Sequence, residues 1–135
     1  MVVDVIIPVY RPEREKLTKL IDWLNKQTVK PSRVFFMQTL VEKNEDEEVL
    51  QMLQKAENVE IVPIEKKDFD HGGTRNKGAA LSKADYMLFM TQDAVPVDAY
   101  LIENLVQAME EEEAATAYGR QLPDDTVGVI EHYTR

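Results

Sequence analysis

Cysteine is absent from the 135 residues, so the chain holds neither a disulfide framework nor a thiolate metal site, and a cytoplasmic address is the expectation. Histidine occurs only at 71 and 132, which leaves a Ser-His-Asp or Cys-His hydrolase hard to assemble. No run approaches the roughly 18 consecutive apolar residues of a membrane helix, so no transmembrane segment is expected. The N-terminus lacks the basic flank and cleavage region of a signal peptide. Neither Gly-x-Gly-x-x-Gly nor Gly-x-x-x-x-Gly-Lys-Ser/Thr occurs, which removes the main support for dehydrogenase and NTPase readings. Positive charge is in deficit, 16 Lys and Arg against 25 Asp and Glu, for a formal net charge of -9. A domain that grips a phosphate backbone normally clusters basic residues, so nucleic acid is not the expected partner. A phosphorylated small molecule stays compatible with this charge, because a few local donors and a divalent cation suffice to hold it.

What is present is 44% hydrophobic and 30% charged, enough for one domain over 1–135 with an apolar core. Residues 2–7 form an almost unbroken β-branched run ending at Pro8, as expected of a strand buried on both faces. Leu17, Leu20, Ile21 and Leu24 recur at helical spacing, predicting a helix over about 13–27. Strands are predicted over 33–38, 59–64 and 86–90, with a shorter helix through Val49, Leu50 and Leu53 between the first two of them. A polar loop over 65–73 precedes a predicted helix over 74–83. Asp98 is a candidate cap for a helix carrying Leu101, Ile102, Leu105, Val106 and Met109, and the chain turns extended again over 114–118. Strand and helix thus alternate four times before a final strand. That order predicts an α/β fold whose mainly parallel sheet carries helices on both faces, with ligands beyond the carboxyl ends of the strands. The loops after Ile7, Gln38, Ile64 and Met90 should therefore meet at one edge. The acidic run 110–113 reads as a solvated helix end.

Two of those loops carry chemistry. Thr91-Gln92-Asp93-Ala94-Val95-Pro96 places a carboxylate just past a buried strand, where it either holds Mg²⁺ or Mn²⁺ against diphosphate oxygens or caps a turn before Pro96. In Phe69-Asp70-His71-Gly72-Gly73-Thr74-Arg75-Asn76-Lys77-Gly78 two glycines let the backbone approach a ligand, and a helix opening near Thr74 offers free N–H groups to an anion. Arg75 adds a planar fork suited to phosphate oxygens; the plain alternative is a surface ion pair, and for His71 an ordinary loop histidine. Tyr10, in the loop after the first strand, either stacks on a base or covers the end of the first helix.

Taken together, Val5-Ile6-Ile7-Pro8-Val9-Tyr10, Leu24-Asn25-Lys26-Gln27-Thr28, the segment 71–78 and Thr91-Gln92-Asp93-Ala94-Val95-Pro96 resemble family 2 glycosyltransferases. The last of these and Tyr118-Gly119-Arg120-Gln121-Leu122-Pro123 are similar to rhamnosyltransferases that use dTDP-rhamnose to build bacterial surface polysaccharides. The resemblance covers most of the chain. It implies a GT-A (Rossmann-like) three-layer sandwich, and transfer of a sugar from a dTDP- or UDP-linked donor to a hydroxyl of a saccharide or lipid-linked saccharide, with inversion. It implies a donor site of Pro8, Tyr10, Gln38, His71, Gly72, Thr74, Arg75, Asn76, Gln92 and Asp93, with the base near Pro8 and Tyr10, the diphosphate near Arg75, and Asp93 as the ligand of a divalent cation, Mg²⁺ or Mn²⁺.

The chain departs from the family pattern in three places. Acidic residues after the second strand are replaced by Gln38-Thr39-Leu40, and the usual Asp-x-Asp by Thr91-Gln92-Asp93. Family members also continue into an acceptor-binding half with the catalytic base, so a truncated domain is expected. Asp124, Asp125 and Glu131 lie in the tail, but nothing positions any of them as that base. A non-catalytic α/β binding or interaction domain is the alternative reading, and a flavodoxin-like or receiver-like regulatory domain ranks behind it because it leaves 71–76 unexplained.

Overall fold

The structure is a computed structural model that describes residues 2–68, 71–112, 116–118 and 128–132, the side chains of 71, 72, 112, 116–118 and 128–132 excepted. Phe69, Asp70 and the calls on 119–125 lie outside the described residues. The elements run β1 (Val3–Val9), α1 (Arg14–Asn25), β2 (Arg33–Leu40), α2 (Lys43–Leu53), β3 (Val59–Glu65), α3 (His71–Leu81), β4 (Tyr86–Met90), α4 (Leu101–Glu112), β5 (Thr116–Tyr118) and β6 (Gly128–His132), with a short 3₁₀ turn at Lys66–Asp68.

One six-stranded sheet has the order β3-β2-β1-β4-β6-β5. The first four strands are mutually parallel, so the chain after each of them emerges at one edge. β6 joins β4 antiparallel and β5 joins β6 antiparallel, a closing hairpin of which the sequence foretold only the first strand. The strand order reverses at β1: β2 and β3 are laid down on one side of it, and α3 then carries the chain back so that β4 docks on the other. Helices α1, α2 and α4 cover one face through Leu17, Leu20, Leu53 and Ile102, while α3 covers the other over Ile6, Phe35, Met37 and Phe89. This is the expected three-layer arrangement. Each fully buried side chain of this size contributes about 1.5–3 kcal/mol on burial, and alternation along a strand sorts them: Val5 and Ile7 face one layer, Ile6 the other.

Several boundaries differ from those read in the sequence, for local reasons. β1 does not stop at Ile7 but runs through Pro8 to Val9. A proline is tolerated there because β1 leaves the β4 ladder at the Ile6–Phe89 rung and keeps only β2 as a neighbour, so the missing N–H costs little. α3 begins at His71 instead of Thr74, which puts both glycines in its first turn. Asp98 does not cap α4; its carboxylate accepts from the Tyr100 N–H (2.8 Å) in the turn before the helix. α2 is capped by Glu42, whose carboxylate accepts from the N–H groups of Asn44 and Glu45.

α3 lies close to the sheet because Gly78 faces Ile6. A Cβ at that position would stand 2.6 Å from Ile6 Cγ2, inside the contact distance of a fully buried β-branched side chain. The helix is also tied at its far end, where the Ser82 hydroxyl donates to buried Asp4 at 2.6 Å. Gly78→Ala gains about 1 kcal/mol of helix propensity and loses about 1–3 kcal/mol to overpacking, because the side chain it meets, Ile6, is β-branched and fully buried. The expected net result in urea denaturation is a loss of about 1 kcal/mol; a variant more stable than the parent would show that α3 is not seated on Ile6.

Candidate functional site at the split between β1 and β4

After the Ile6–Phe89 rung the two central strands part, as parallel sheets do where the strand order reverses, and a crevice opens at their carboxyl ends. The residues singled out in the sequence gather around it from three elements. From β1 come Pro8 and Tyr10, both half-buried. From β4 comes a tight turn in which the Ala94 N–H donates to the Thr91 carbonyl (3.0 Å), leaving Gln92 and Asp93 at its corners. Ala94 and Pro96 are buried beneath this turn, and Asp93 is exposed. The Thr91 hydroxyl donates to Asp93 Oδ1 at 2.9 Å, which fixes the direction of the carboxylate. From α3 comes Arg75, exposed, with its guanidinium carbon 5.8 Å from the centroid of the Phe89 ring. Phe89 is the last residue of β4 paired with β1, so that contact sets the arginine beside the mouth of the split. Among the described residues Arg75 takes part in no ion pair, so the surface salt-bridge alternative finds no support there.

The first and fourth loops are joined directly. The Tyr10 N–H donates to Gln92 Oε1 at 2.7 Å, and Gln92 Nε2 donates back to the Tyr10 carbonyl at 2.9 Å. The Tyr10 ring is approached by the Arg11 guanidinium at 6.0 Å, and Arg11 itself sits in the left-handed backbone region, φ 42°. That conformation in a non-glycine residue costs about 1 kcal/mol, the kind of local strain that structures retain where a loop must turn in one particular way.

Other candidates are placed less directly. Gln38 is buried and its amide nitrogen donates to the Asp46 carbonyl at 3.0 Å, while the Asp46 carboxylate accepts from the Val41 N–H. The end of β2 is therefore braced against α2, with Thr39 buried beside it. Thr74 is buried at the inner side of α3, and Asn76 is exposed. The backbone of His71 and Gly72 opens α3, but their side chains lie outside the described residues. On the β3 side, Ile64, Glu65, Asp68, Gly73, Thr74 and Lys77 border a hollow of about 290 Å³ between the end of β3 and α3.

Reading the sequence missed the part played by Gln27. It is 2% exposed at the end of α1, and its amide nitrogen donates to the Trp23 and Asp98 carbonyls (3.1 and 2.9 Å). Its oxygen accepts from the Ile102 N–H at 3.2 Å, supplying the α4 N-terminus with the acceptor that a capping side chain gives. The Thr28 N–H adds a bond to the Ala99 carbonyl. Gln27 thus holds the far end of the loop that begins at Asp93. The sequence signal was slight: one glutamine in a polar helix end. Gln27→Leu strands one helix N–H and two carbonyls in the interior and is expected to cost about 2–4 kcal/mol in chemical denaturation. A cost below about 1 kcal/mol would mean that water replaces the amide and the loop does not depend on it.

The carboxylate chemistry fits a shared cation and no more. Among the described residues no cluster of three or more His, Asp or Glu forms a protein-only metal site. A hard divalent cation at Asp93 would have to draw most of its oxygen ligands from a bound diphosphate and water. Among the described residues no helix is long and apolar enough to cross a membrane.

Comparison with known proteins bears on family and fold. The profile of Glycosyl transferase family 2 matches residues 4–135. O-antigen chain rhamnosyltransferase RfbN of Salmonella typhimurium is 33% identical over 124 residues, 91% of this chain and 38% of that protein. O-antigen chain rhamnosyltransferase WbaN of Salmonella anatum is 28% identical over 119 residues, 87% of this chain and 36% of the relative. The chain therefore spans well under half the length of either relative. Among solved structures, the mannosyltransferase PcManGT from Pyrobaculum calidifontis, in complex with GDP-Man and Mn²⁺, superposes with a TM-score of 0.72 at 15% identity, covering 91% of this chain and 36% of that one. TarS 1-349 of S. aureus in complex with UDP-GlcNAc gives 0.68 at 21%, covering 91% and 37%. At such identities these two show the fold, which is that of the GT-A glycosyltransferases. With the fold, the ordered motifs and the profile in agreement, the chain belongs to glycosyl transferase family 2, and it is similar to its O-antigen rhamnosyltransferases.

Proposed function

We propose that residues 1–135 form the nucleotide-sugar-binding part of an inverting, metal-dependent glycosyltransferase acting in the cytoplasm on bacterial surface polysaccharide. In this reading a sugar, rhamnose in the first instance, passes from a dTDP- or UDP-linked donor to a hydroxyl of a saccharide or lipid-linked saccharide acceptor. The observations that support the proposal are the bond between Tyr10 and Gln92 beside the Asp93 turn and the packing of Arg75 on Phe89, the last residue of β4 paired with β1. Support for rhamnose and for a polysaccharide product comes from the relatives, both named O-antigen chain rhamnosyltransferases.

Each residue has a separate task. Tyr10 offers an aromatic face to the nucleoside at the rim of the crevice. Arg75, exposed and lying over the Phe89 ring, offers a fork to the diphosphate, where negative charge grows as the glycosidic bond to the leaving group breaks. Asp93, directed by Thr91, would hold a divalent cation, which supplies further neutralisation of the same charge. No described carboxylate is assigned as the general base, and the acceptor side is attributed to sequence beyond the part these relatives share with the chain.

A thermal-denaturation series with dTDP, UDP or GDP, each with Mn²⁺ and then with chelator, tests the proposal. A ligand that binds only the native state stabilises it by about 2.7 kcal/mol at a hundredfold excess over Kd. The expected result is a rise in Tm with dTDP or UDP that needs Mn²⁺, and its disappearance in Asp93→Asn, whose own Tm stays near that of the parent because Thr91 bonds an amide oxygen as well as a carboxylate. A variant that keeps the full Mn²⁺-dependent rise would place the cation elsewhere. A parent chain that responds to no nucleoside diphosphate would favour the non-catalytic reading.

A further inference from the structure

Gln92 is the middle residue of Thr91-Gln92-Asp93, and both ends of its carboxamide are engaged with one residue, the backbone of Tyr10. In a β-strand, the N–H and C=O of a single residue point to the same side, which is how a neighbouring strand bonds them both. β4 no longer serves that purpose for β1 here, since their ladder ends at Ile6 and Phe89. The carboxamide of Gln92 takes the place of the missing rung just past both strands, four residues after Ile6 and three after Phe89.

We propose that Gln92 is a positioning residue: it bridges the split strands at Tyr10 and so couples the nucleoside end of the donor site to the cation end at Asp93. The proposal rests on the donor-site reading above for what the two ends bind. The side-chain chemistry is specific. Glutamate has the reach but offers only acceptors, so it would set an oxygen against the Tyr10 carbonyl. Asparagine has both groups but is one methylene short of the 2.7 and 2.9 Å contacts. Asp93 is the next residue in a turn closed by the Thr91–Ala94 bond, so any movement of Gln92 reaches it through one peptide unit. The middle position of the motif thus supplies the bridge, Thr91 stands where the first carboxylate of Asp-x-Asp would, and Asp93 is left as the sole acidic side chain of the turn.

The test compares the parent with Gln92→Met, which keeps length and volume but forms neither bond, and with Gln92→Asn as a second, smaller change. Two quantities are read: hydrogen exchange at the Tyr10 amide, and the factor by which Mn²⁺ tightens dTDP or UDP binding in titration calorimetry. The expected result is that both variants exchange the Tyr10 amide about tenfold faster or more, and that the Mn²⁺ factor falls by about tenfold, a larger change than any in uridine or thymidine binding, since the two ends are no longer held together. A general loss of stability would weaken nucleoside and nucleotide alike, and so does not produce this split. Unchanged Tyr10 exchange in Gln92→Met overturns the bridge. Changed exchange with an unchanged Mn²⁺ factor overturns the coupling. If the parent binds no nucleoside diphosphate, the donor-site reading fails and the coupling with it, while the exchange rates still decide whether the bridge exists.

Discussion

The cleft depends on one topological constraint: β1 must have β2 on one side and β4 on the other, and it must lose β4 before it loses β2. The β2 ladder continues to Val9 and Gln38, whereas the β4 ladder ends at Ile6 and Phe89. Unpaired backbone groups in a sheet interior are costly, so a split of this kind persists only where something else satisfies them. Pro8 has no N–H to satisfy, and the Tyr10 N–H and C=O are both met by Gln92. The strained backbone of Arg11 follows immediately, as the chain turns out of the sheet toward α1.

The opposite wall of the cleft is set by how closely α3 can approach. Its second turn carries Arg75, but its position is decided three and seven residues further on, at Gly78 and Ser82, which rest on Ile6 and Asp4 of the same strand that forms the split. β1 is thus the common reference for both walls. The fourth loop is held at both ends by carboxamides, Gln92 at its start and Gln27 at the α4 terminus. Neutral amides suit this task because each donates and accepts, and because they add no charge beside the proposed diphosphate and cation site. The global charge of -9 does not prevent a local cationic contact, since Arg75 lies against an uncharged aromatic ring.

The strands, the helical stripes and the edge at which the loops meet were legible in the sequence, because buried parallel strands read as continuous apolar runs and helices as 3.6-residue stripes. Asp93 and Tyr10 were legible as candidates because polar residues directly after such strands face the ligand edge, and Arg75 because it follows two glycines where a helix was expected to open. Three features were not. The start of α3 at His71 is hidden by two glycines, whose helix propensity is poor and which local rules assign to a loop. The continuation of β1 through Pro8 depends on which neighbour is lost, a property of the sheet and not of the residue. The long-range work of Gln27 and Gln92 spans 75 and 82 residues of sequence and leaves no periodic trace. The antiparallel pair β5 and β6 was half seen, since the second of its strands lies in a polar tail.

The most direct test of the central claim is where a paramagnetic cation sits when a nucleoside diphosphate is bound. Amide NMR spectra of the chain with UDP or dTDP, titrated with Mn²⁺, report this through distance-dependent broadening. The account predicts broadening centred on 91–94, extending to Tyr10 and the first turn of α3. Broadening centred on the acidic start of α2, around Glu42, Glu45 and Glu48, with the Asp93 turn left sharp, would contradict it.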